Sequence, residues 1–272
     1  MIVSTEWLQE HLEDQHLAIV DVRHVTNMPG AGQTMYVEGH IPRAVFLDVD
    51  TDLADRSDLT RGRHPLPHPK KFVEALTRVG IGKWMKIVAY DNSAGSTAAR
   101  LWWMMHWIGV NDVAVLDGGI TKWMAEGRPL ETGGGKHKRI VQPLDPESND
   151  TMIVNKDSVR RARELELLLV DVRSAERYRG EREPFDTKAG HIPGAVNVPW
   201  EQNVTSGPVP VFKSVMELQV LYGEAGVRDP SKTVSYCGSG VTACMGILAM
   251  EMAGLRGVRL YPGSWSEWIA GY

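Results

Sequence analysis

The sequence predicts an α/β protein of two tandem domains, each a mainly parallel sheet flanked by helices. Three observations predict it: an internal repeat, an alternation of strand-like and helix-like runs within each half, and a glycine-rich loop set between one strand and one helix. A chain of 272 residues is long for one domain and ample for two.

The repeat is legible in chain order. Ile19-Val20-Asp21-Val22-Arg23 returns as Leu169-Val170-Asp171-Val172-Arg173. Gly39-His40-Ile41-Pro42-Arg43-Ala44-Val45 returns as Gly190-His191-Ile192-Pro193-Gly194-Ala195-Val196, differing only where Arg43 gives way to Gly194. Lys86-Ile87-Val88-Ala89-Tyr90-Asp91 answers to Lys232-Thr233-Val234-Ser235-Tyr236-Cys237, and each half closes on a tryptophan, Trp123 or Trp268. Chance gives one such match, not four in the same order. Two large repeats make two domains rather than a solenoid of many short units. The expected boundaries are 1–130 for the first domain, 131–150 for a linker and 151–272 for the second. The linker, with Gly133-Gly134-Gly135, two prolines and mixed charge, has no periodicity of its own.

Within the second half, Leu165 to Val172 is short and apolar, as suits a buried parallel strand. Lys213 to Gly223 has apolar residues at helical spacing and a terminal glycine. Thr233 to Tyr236 is β-prone, and an apolar helix is expected from about Val241 to Ala253 with Gly254 as its stop. Strands alternating with helices imply a mainly parallel sheet, whose ligand site lies beyond the carboxyl ends of the strands. Cys237 falls at such a place.

Composition narrows the function. Hydrophobic residues at 43% and charged residues at 24% are ordinary for a globular protein, and the net charge of −4 comes without the basic stripe of a nucleic-acid binder. Apolar stretches are too short to span a membrane and the first residues carry no secretory pattern, so the expected location is the cytoplasm. Two cysteines seven residues apart do not suggest a disulfide scaffold. No metal-ligand spacing and no phosphate-binding loop occur, so neither a metal nor a cofactor is expected.

Cys237-Gly238-Ser239-Gly240-Val241-Thr242-Ala243-Cys244 is the most informative segment. A thiol between strand and helix faces backbone N–H groups and the positive helix end, and Gly238 and Gly240 let the backbone curl into an anion nest. The nest favours the thiolate, the nucleophilic form, and equally the anion of a persulfide. Cys244 falls inside the predicted helix and reads as packing. His40 and His191 recur in both halves and read as structural. The run Arg177-Tyr178-Arg179-Gly180-Glu181-Arg182 offers three cations for a substrate carboxylate, the alternative for Arg179 and Arg182 being a solvated charge run.

The Asp-Val-Arg strand, the Gly-His-Ile-Pro-Gly-Ala stretch, the Cys-x-x-Gly-Val-Thr-Ala loop and the Gly-Ser-Trp near the end resemble the rhodanese domain. The whole chain resembles the tandem-domain sulfurtransferases. The resemblance implies a covalent sulfur carrier at Cys237 and a silent first domain, because Asp91 stands at the matching position. It implies a small-molecule sulfur donor and a thioredoxin-like or small-thiol acceptor, with neither nucleic acid nor membrane as partner. The Cys-Gly-Ser-Gly loop resembles the 3-mercaptopyruvate branch, whereas the thiosulfate branch has Cys-Arg-Lys-Gly. In the former, Ser239 belongs to a proposed Ser–His–Asp set whose other members map onto His64 and Asp50, with Asp48 as runner-up. The branch's substrate arginine maps onto Arg177. Its second arginine falls on Asp186, leaving Arg179 or Arg182 to assist. Gly238, Gly240, Val241 and Thr242 complete the expected binding loop. Pro262 departs from the family, where an aspartate more often precedes Gly-Ser-Trp. Competing readings are a thiosulfate:cyanide sulfurtransferase, a phosphatase of this fold, and a non-catalytic binding module. A phosphatase needs a longer loop ending in an arginine, and this loop reaches Thr242-Ala243 without one.

Overall fold

The computed structural model describes residues 1–134 and 139–270, so residues 135–138 of the expected linker and the last two residues lie outside the described part. The chain divides into two compact units: Met1–Asp55 with Pro67–Asn149 and Ser206–Val211, and Arg56–Leu66 with Asp150–Thr205 and Phe212–Tyr272. The short segment Arg56–Leu66 thus belongs with the second unit although it lies inside the first half of the sequence.

The first unit runs β1 (Ile2–Val3), α1 (Thr5–Glu10), β2 (Leu17–Asp21), α2 (Ala31–Glu38), β3 (Val45–Phe46), α3 (Pro69–Arg78), β4 (Lys86–Tyr90), α4 (Ala98–Trp107), β5 (Val113–Leu116) and α5 (Gly119–Ala125). Its sheet has the order β1-β5-β4-β2-β3 with every pair parallel. The second unit runs α6 (Lys156–Arg160), β6 (Leu168–Asp171), α7 (Ala175–Arg179), β7 (Val196–Asn197), α8 (Val215–Glu224), β8 (Thr233–Tyr236), α9 (Ala243–Met252), β9 (Arg259–Leu260) and α10 (Ser264–Ile269). Its sheet is β7-β6-β8-β9, again parallel, and a single parallel bridge from Ile153 to Leu260 stands where β1 lies in the other unit. Central strands are buried along all but their first residues, which explains why they read as apolar runs rather than alternating ones.

The repeated motifs do the same mechanical work in both units. Asp21 takes the Arg23 guanidinium through both carboxylate oxygens, and Arg23 Nη2 donates on to the Gly39 carbonyl at 2.7 Å. Asp171, Arg173 and Gly190 repeat the arrangement. Tyr90 and Tyr236, at the ends of β4 and β8, each accept an N–H from the Ile of Gly-His-Ile-Pro and point at the aspartate. Burial first, and the neighbouring carboxylate second, push both phenols well above the usual tyrosine range. His40 and His191 stack on Tyr36 and Tyr178 and bond their carbonyls at 2.7 and 2.8 Å, which is the structural role the repeat suggested.

Local boundaries differ from the sequence-based ones in three places. The strand expected from Leu165 begins only at Leu168, because Glu166 sits at a φ of 53° in the preceding turn. The helix expected at Lys213–Gly223 is α8, started by a Ser214–Glu217 capping box, and the glycine that follows it with positive φ is Gly226. The expected linker is not loose along its described length. Arg139 donates to the Leu17 carbonyl, Gln142 accepts from Lys83, and Asn149 donates to Trp107, all within the first unit.

Candidate active site

Cys237 follows β8 directly and is 3% exposed. The loop behind it is fixed by two backbone bonds from α10: Trp265 N–H to the Cys237 carbonyl at 3.0 Å and Ser266 N–H to the Gly238 carbonyl at 2.9 Å. Ser264 Oγ accepts the Cys237 N–H at 3.1 Å and donates to the Tyr261 carbonyl. The Gly240 N–H points at Cys237 Sγ at 3.2 Å, turning the loop back onto its own thiol. Gly240 has a φ of 81°, and a β-carbon there would overlap the Pro262 carbonyl, so both conformation and space demand glycine. Gly238 needs no positive φ; its reason is the space above it. Val241 is buried and accepts the Cys244 N–H, while Thr242 opens α9. Cys244 is fully buried inside α9, its thiol donating to the Gly240 carbonyl at 3.4 Å.

The first unit builds a similar loop around a different group. Asp91, fully buried, follows β4, and its carboxylate accepts the N–H groups of Ser93, Gly95, Thr97 and Ala98 at 2.8–2.9 Å, plus the Thr97 hydroxyl. Gly95, with a φ of 89°, does there what Gly240 does beside Cys237. A loop with this many inward donors is a seat for an anion.

The segment Arg56–Leu66 brings two further groups to the cysteine loop. Gly62 has a φ of 108°, and a β-carbon on it would meet the Gly263 carbonyl at 2.8 Å; the absence of a side chain lets this segment lie against the start of α10. Arg63 N–H then donates to Ser266 Oγ at 3.1 Å. His64, buried at 7% exposure, holds Nδ1 2.8 Å from Ser239 Oγ. Asp50 is placed in the first unit, with Oδ2 3.8 Å from His24 Nδ1. Asp48 caps its own turn, accepting the Asp50 and Thr51 N–H groups.

Arg177, on α7, reaches over Gly238. Its Nη2 lies 3.1 Å from where a Gly238 β-carbon would stand, and Glu183 grips it through Nε and Nη2 at 2.8–3.1 Å. Arg182 lines an open pocket of about 280 Å³ together with Arg173, Arg177, Phe185, Trp200 and Thr242. Arg179 does not join them. It projects outward, half exposed, and pairs with Glu181 at 2.6 Å, because the last turn of α7 carries it to the opposite side from Arg177. Arg63, which the sequence did not single out, is brought by the Arg56–Leu66 segment over Gly238, its Nη2 2.8 Å from where a β-carbon there would stand.

Among the described residues, no helix is long and apolar enough to cross a membrane. The family model for the rhodanese-like domain matches residues 4–126 and again 155–271. A probable 3-mercaptopyruvate sulfurtransferase of Pseudomonas aeruginosa is 37% identical, with 98% of this chain and 94% of the relative covered. A putative thiosulfate sulfurtransferase of Mycobacterium tuberculosis is 34% identical over 93% of this chain and 87% of its own. The crystal structure of SseA from Escherichia coli, a 3-mercaptopyruvate sulfotransferase, superposes with a TM-score of 0.83 at 32% identity, covering 97% of this chain and 98% of that one. The model's two matches coincide with two units that share a parallel sheet and an Asp–Arg–Tyr framework, and the chain belongs to the rhodanese-like domain family.

Proposed function

We propose that this protein is a sulfurtransferase that moves sulfur from 3-mercaptopyruvate through a persulfide on Cys237 to a thiol acceptor. The observation that carries the reading is the Gly240 N–H aimed at the sulfur of a buried cysteine at the end of a central parallel strand. The Asp91 loop supports it from the other unit. A carboxylate oxygen lies one bond beyond the atom that corresponds to Sγ, where the outer sulfur of a persulfide would extend, and there the loop gathers four N–H donors.

The chemistry is ping-pong. Cys237 thiolate attacks the donor sulfur, a new S–S bond forms, and the C–S bond breaks with its electron pair going to the pyruvate enolate. The donor's thiol proton is taken up by the Ser239–His64 pair and returned to the enolate carbon, giving pyruvate. Asp50 is proposed as the carboxylate that orients His64. The acceptor thiolate then attacks the outer sulfur and restores Cys237 thiolate. Arg177 binds the donor's carboxylate, Arg182 lines the approach, and Gly238, Gly240, Val241 and Thr242 form the backbone cradle. The acceptor is a small thiol or a thioredoxin-like protein, with cyanide serving in an assay. The first copy is proposed to be silent because an aspartate cannot carry sulfur.

The relative named as a thiosulfate sulfurtransferase keeps that donor as the second reading. A side-by-side comparison of kcat/KM with the two donors tests the choice. Preference for 3-mercaptopyruvate by tenfold or more, equivalent to about 1.4 kcal/mol, is the expected result; preference for thiosulfate overturns the donor assignment.

A further inference from the structure

The stretch 39–45 and its counterpart 190–196 differ at one place, and the backbone there is of the kind that suits glycine. Arg43 holds a φ of 66°, in the left-handed region, where the second copy has Gly194 at 84°. An ordinary residue is strained in that conformation and glycine is not, so the arginine needs a reason that the backbone does not supply. Its ion pair is a weak one. Nη1 donates to Glu13 at 2.6 Å, but the Glu13 side chain is 89% exposed, and surface pairs of this kind contribute little.

The surroundings supply a better reason. Arg43 and Arg139 line one small pocket of about 10 Å³ in the first unit, whose walls between them are apolar: Ile19 of β2, Val45 of β3, and Val79 and Ile81 beyond α3. Arg139 lies with its backbone against Gly80, and its Nη1 donates to the Leu17 and Gln15 carbonyls at 2.7 and 3.3 Å. No carboxylate among the described residues pairs with its guanidinium. Burial first, and the charge of Arg43 second, hold its pKa below the usual arginine value, with Asp14 opposing them. Two like charges therefore face one pocket that no acidic side chain lines. Such a placement is unfavourable beside apolar walls unless an anion completes it. The second unit has no such feature at the matching place, since a β-carbon on Gly194 would meet nothing within 4 Å.

We propose that Arg43 and Arg139 form an oxyanion-binding site of the first unit, for a doubly charged group of the phosphate or sulfate class. The pocket has room for about one oxygen atom, so the ion seats one oxygen between the guanidinium groups and keeps the others at the mouth. Two cations favour a dianion over a singly charged carboxylate, and guanidinium forks match its geometry. The site flanks the first half of β2, whereas the Asp91 loop follows the far end of β4, so the bound ion acts on the stability of the unit rather than on sulfur transfer.

The test follows the melting transition of the full-length protein against inorganic phosphate in the millimolar range, with chloride holding the ionic strength constant. A saturable rise is expected, because a ligand of the folded state stabilises by mass action; general exclusion of phosphate from the surface grows without saturating. Arg43→Gly and Arg139→Gln should each weaken binding by about 10-fold or more, read as the midpoint of that rise and by calorimetric titration. Arg43→Gly also relieves the left-handed strain, so without phosphate it should melt no earlier than wild type, which separates a lost site from a damaged fold. If it melts early, Arg139→Gln decides. Sulfate should act as phosphate does and acetate should not; an equal effect of acetate overturns the dianion assignment. Glycerol phosphate binding tighter than inorganic phosphate assigns the phosphoryl group of a larger molecule, and weaker binding assigns the free ion. No saturable rise in wild type overturns the site. So does a rise that survives both substitutions, because the ion then sits on other arginines such as Arg177.

Discussion

At the scale of single residues, the two cysteines are the sharpest contrast. Both are buried, yet one ends a strand beneath an inward N–H and the other is packed in the middle of an apolar helix. Cys237→Ser is expected to abolish turnover and the mass gain of one sulfur atom after donor treatment, whereas Cys244→Ser keeps both; mass spectrometry distinguishes the two. His64 and Ser239 are in hydrogen-bond contact and should act as a unit. Each alanine variant is expected to slow 3-mercaptopyruvate turnover by roughly 10². The double variant should be hardly slower than the worse single one, since groups that share one proton path are not additive. Thiosulfate, which yields no enolate to protonate, should be affected far less. Equal losses with both donors would make His64 a positioning residue instead.

At the scale of elements, the loops between strand and helix are set by glycines that admit neighbouring backbone. Gly240→Ala combines a left-handed conformation, which costs an ordinary residue about 1–2 kcal/mol, with an overlap against the Pro262 carbonyl. It should lower both thermal stability and the rate of persulfide formation. Gly62→Ala meets the Gly263 carbonyl at 2.8 Å and should displace Arg63 and His64 together, so KM and kcat worsen in one step. In the first unit, Asp91→Ala leaves four inward N–H groups without their acceptor. At about 1–3 kcal/mol for a buried donor left unpaired, it should destabilise that unit by about 3 kcal/mol or more, read as a lower denaturation midpoint. An unchanged midpoint would mean that water satisfies those donors and that the loop is not an anion seat.

At the scale of the whole molecule, the two units share one framework and differ in the residue their loop surrounds, Asp91 in one and Cys237 in the other. The Asp–Arg–Tyr tie and the parallel strand order are common to both units. The unit that holds Cys237 also includes Arg56–Leu66, a segment distant in sequence from its other parts. A fragment of residues 151–272 therefore keeps the Cys237 loop but lacks Arg63 and His64. It is expected to turn over 3-mercaptopyruvate at least about 10²-fold more slowly than the full chain, as measured by pyruvate release with circular dichroism to check folding. A folded fragment with full activity would remove the Arg56–Leu66 segment from the mechanism.

The sequence by itself determined the fold class and the repeat and singled out Cys237 as the candidate nucleophile, because these depend on local grammar: apolar runs, a glycine-rich turn, and one residue that differs between two otherwise matching copies. It also determined that His64 and Ser239 are candidates for one site, through resemblance rather than through any local signal. The placement of the arginines was decided only in three dimensions. Arg177, Arg179 and Arg182 are indistinguishable in a charge run, and the turn of α7 sends Arg177 over Gly238 and Arg179 outward to Glu181. Asp186 looked like the loss of a binding cation, and it is instead the anion that ties Arg63 to Arg177. No spacing rule foretells such a pairing, because Arg63 reaches Asp186 by tertiary folding across more than a hundred residues, with a glycine at 62 making the approach possible.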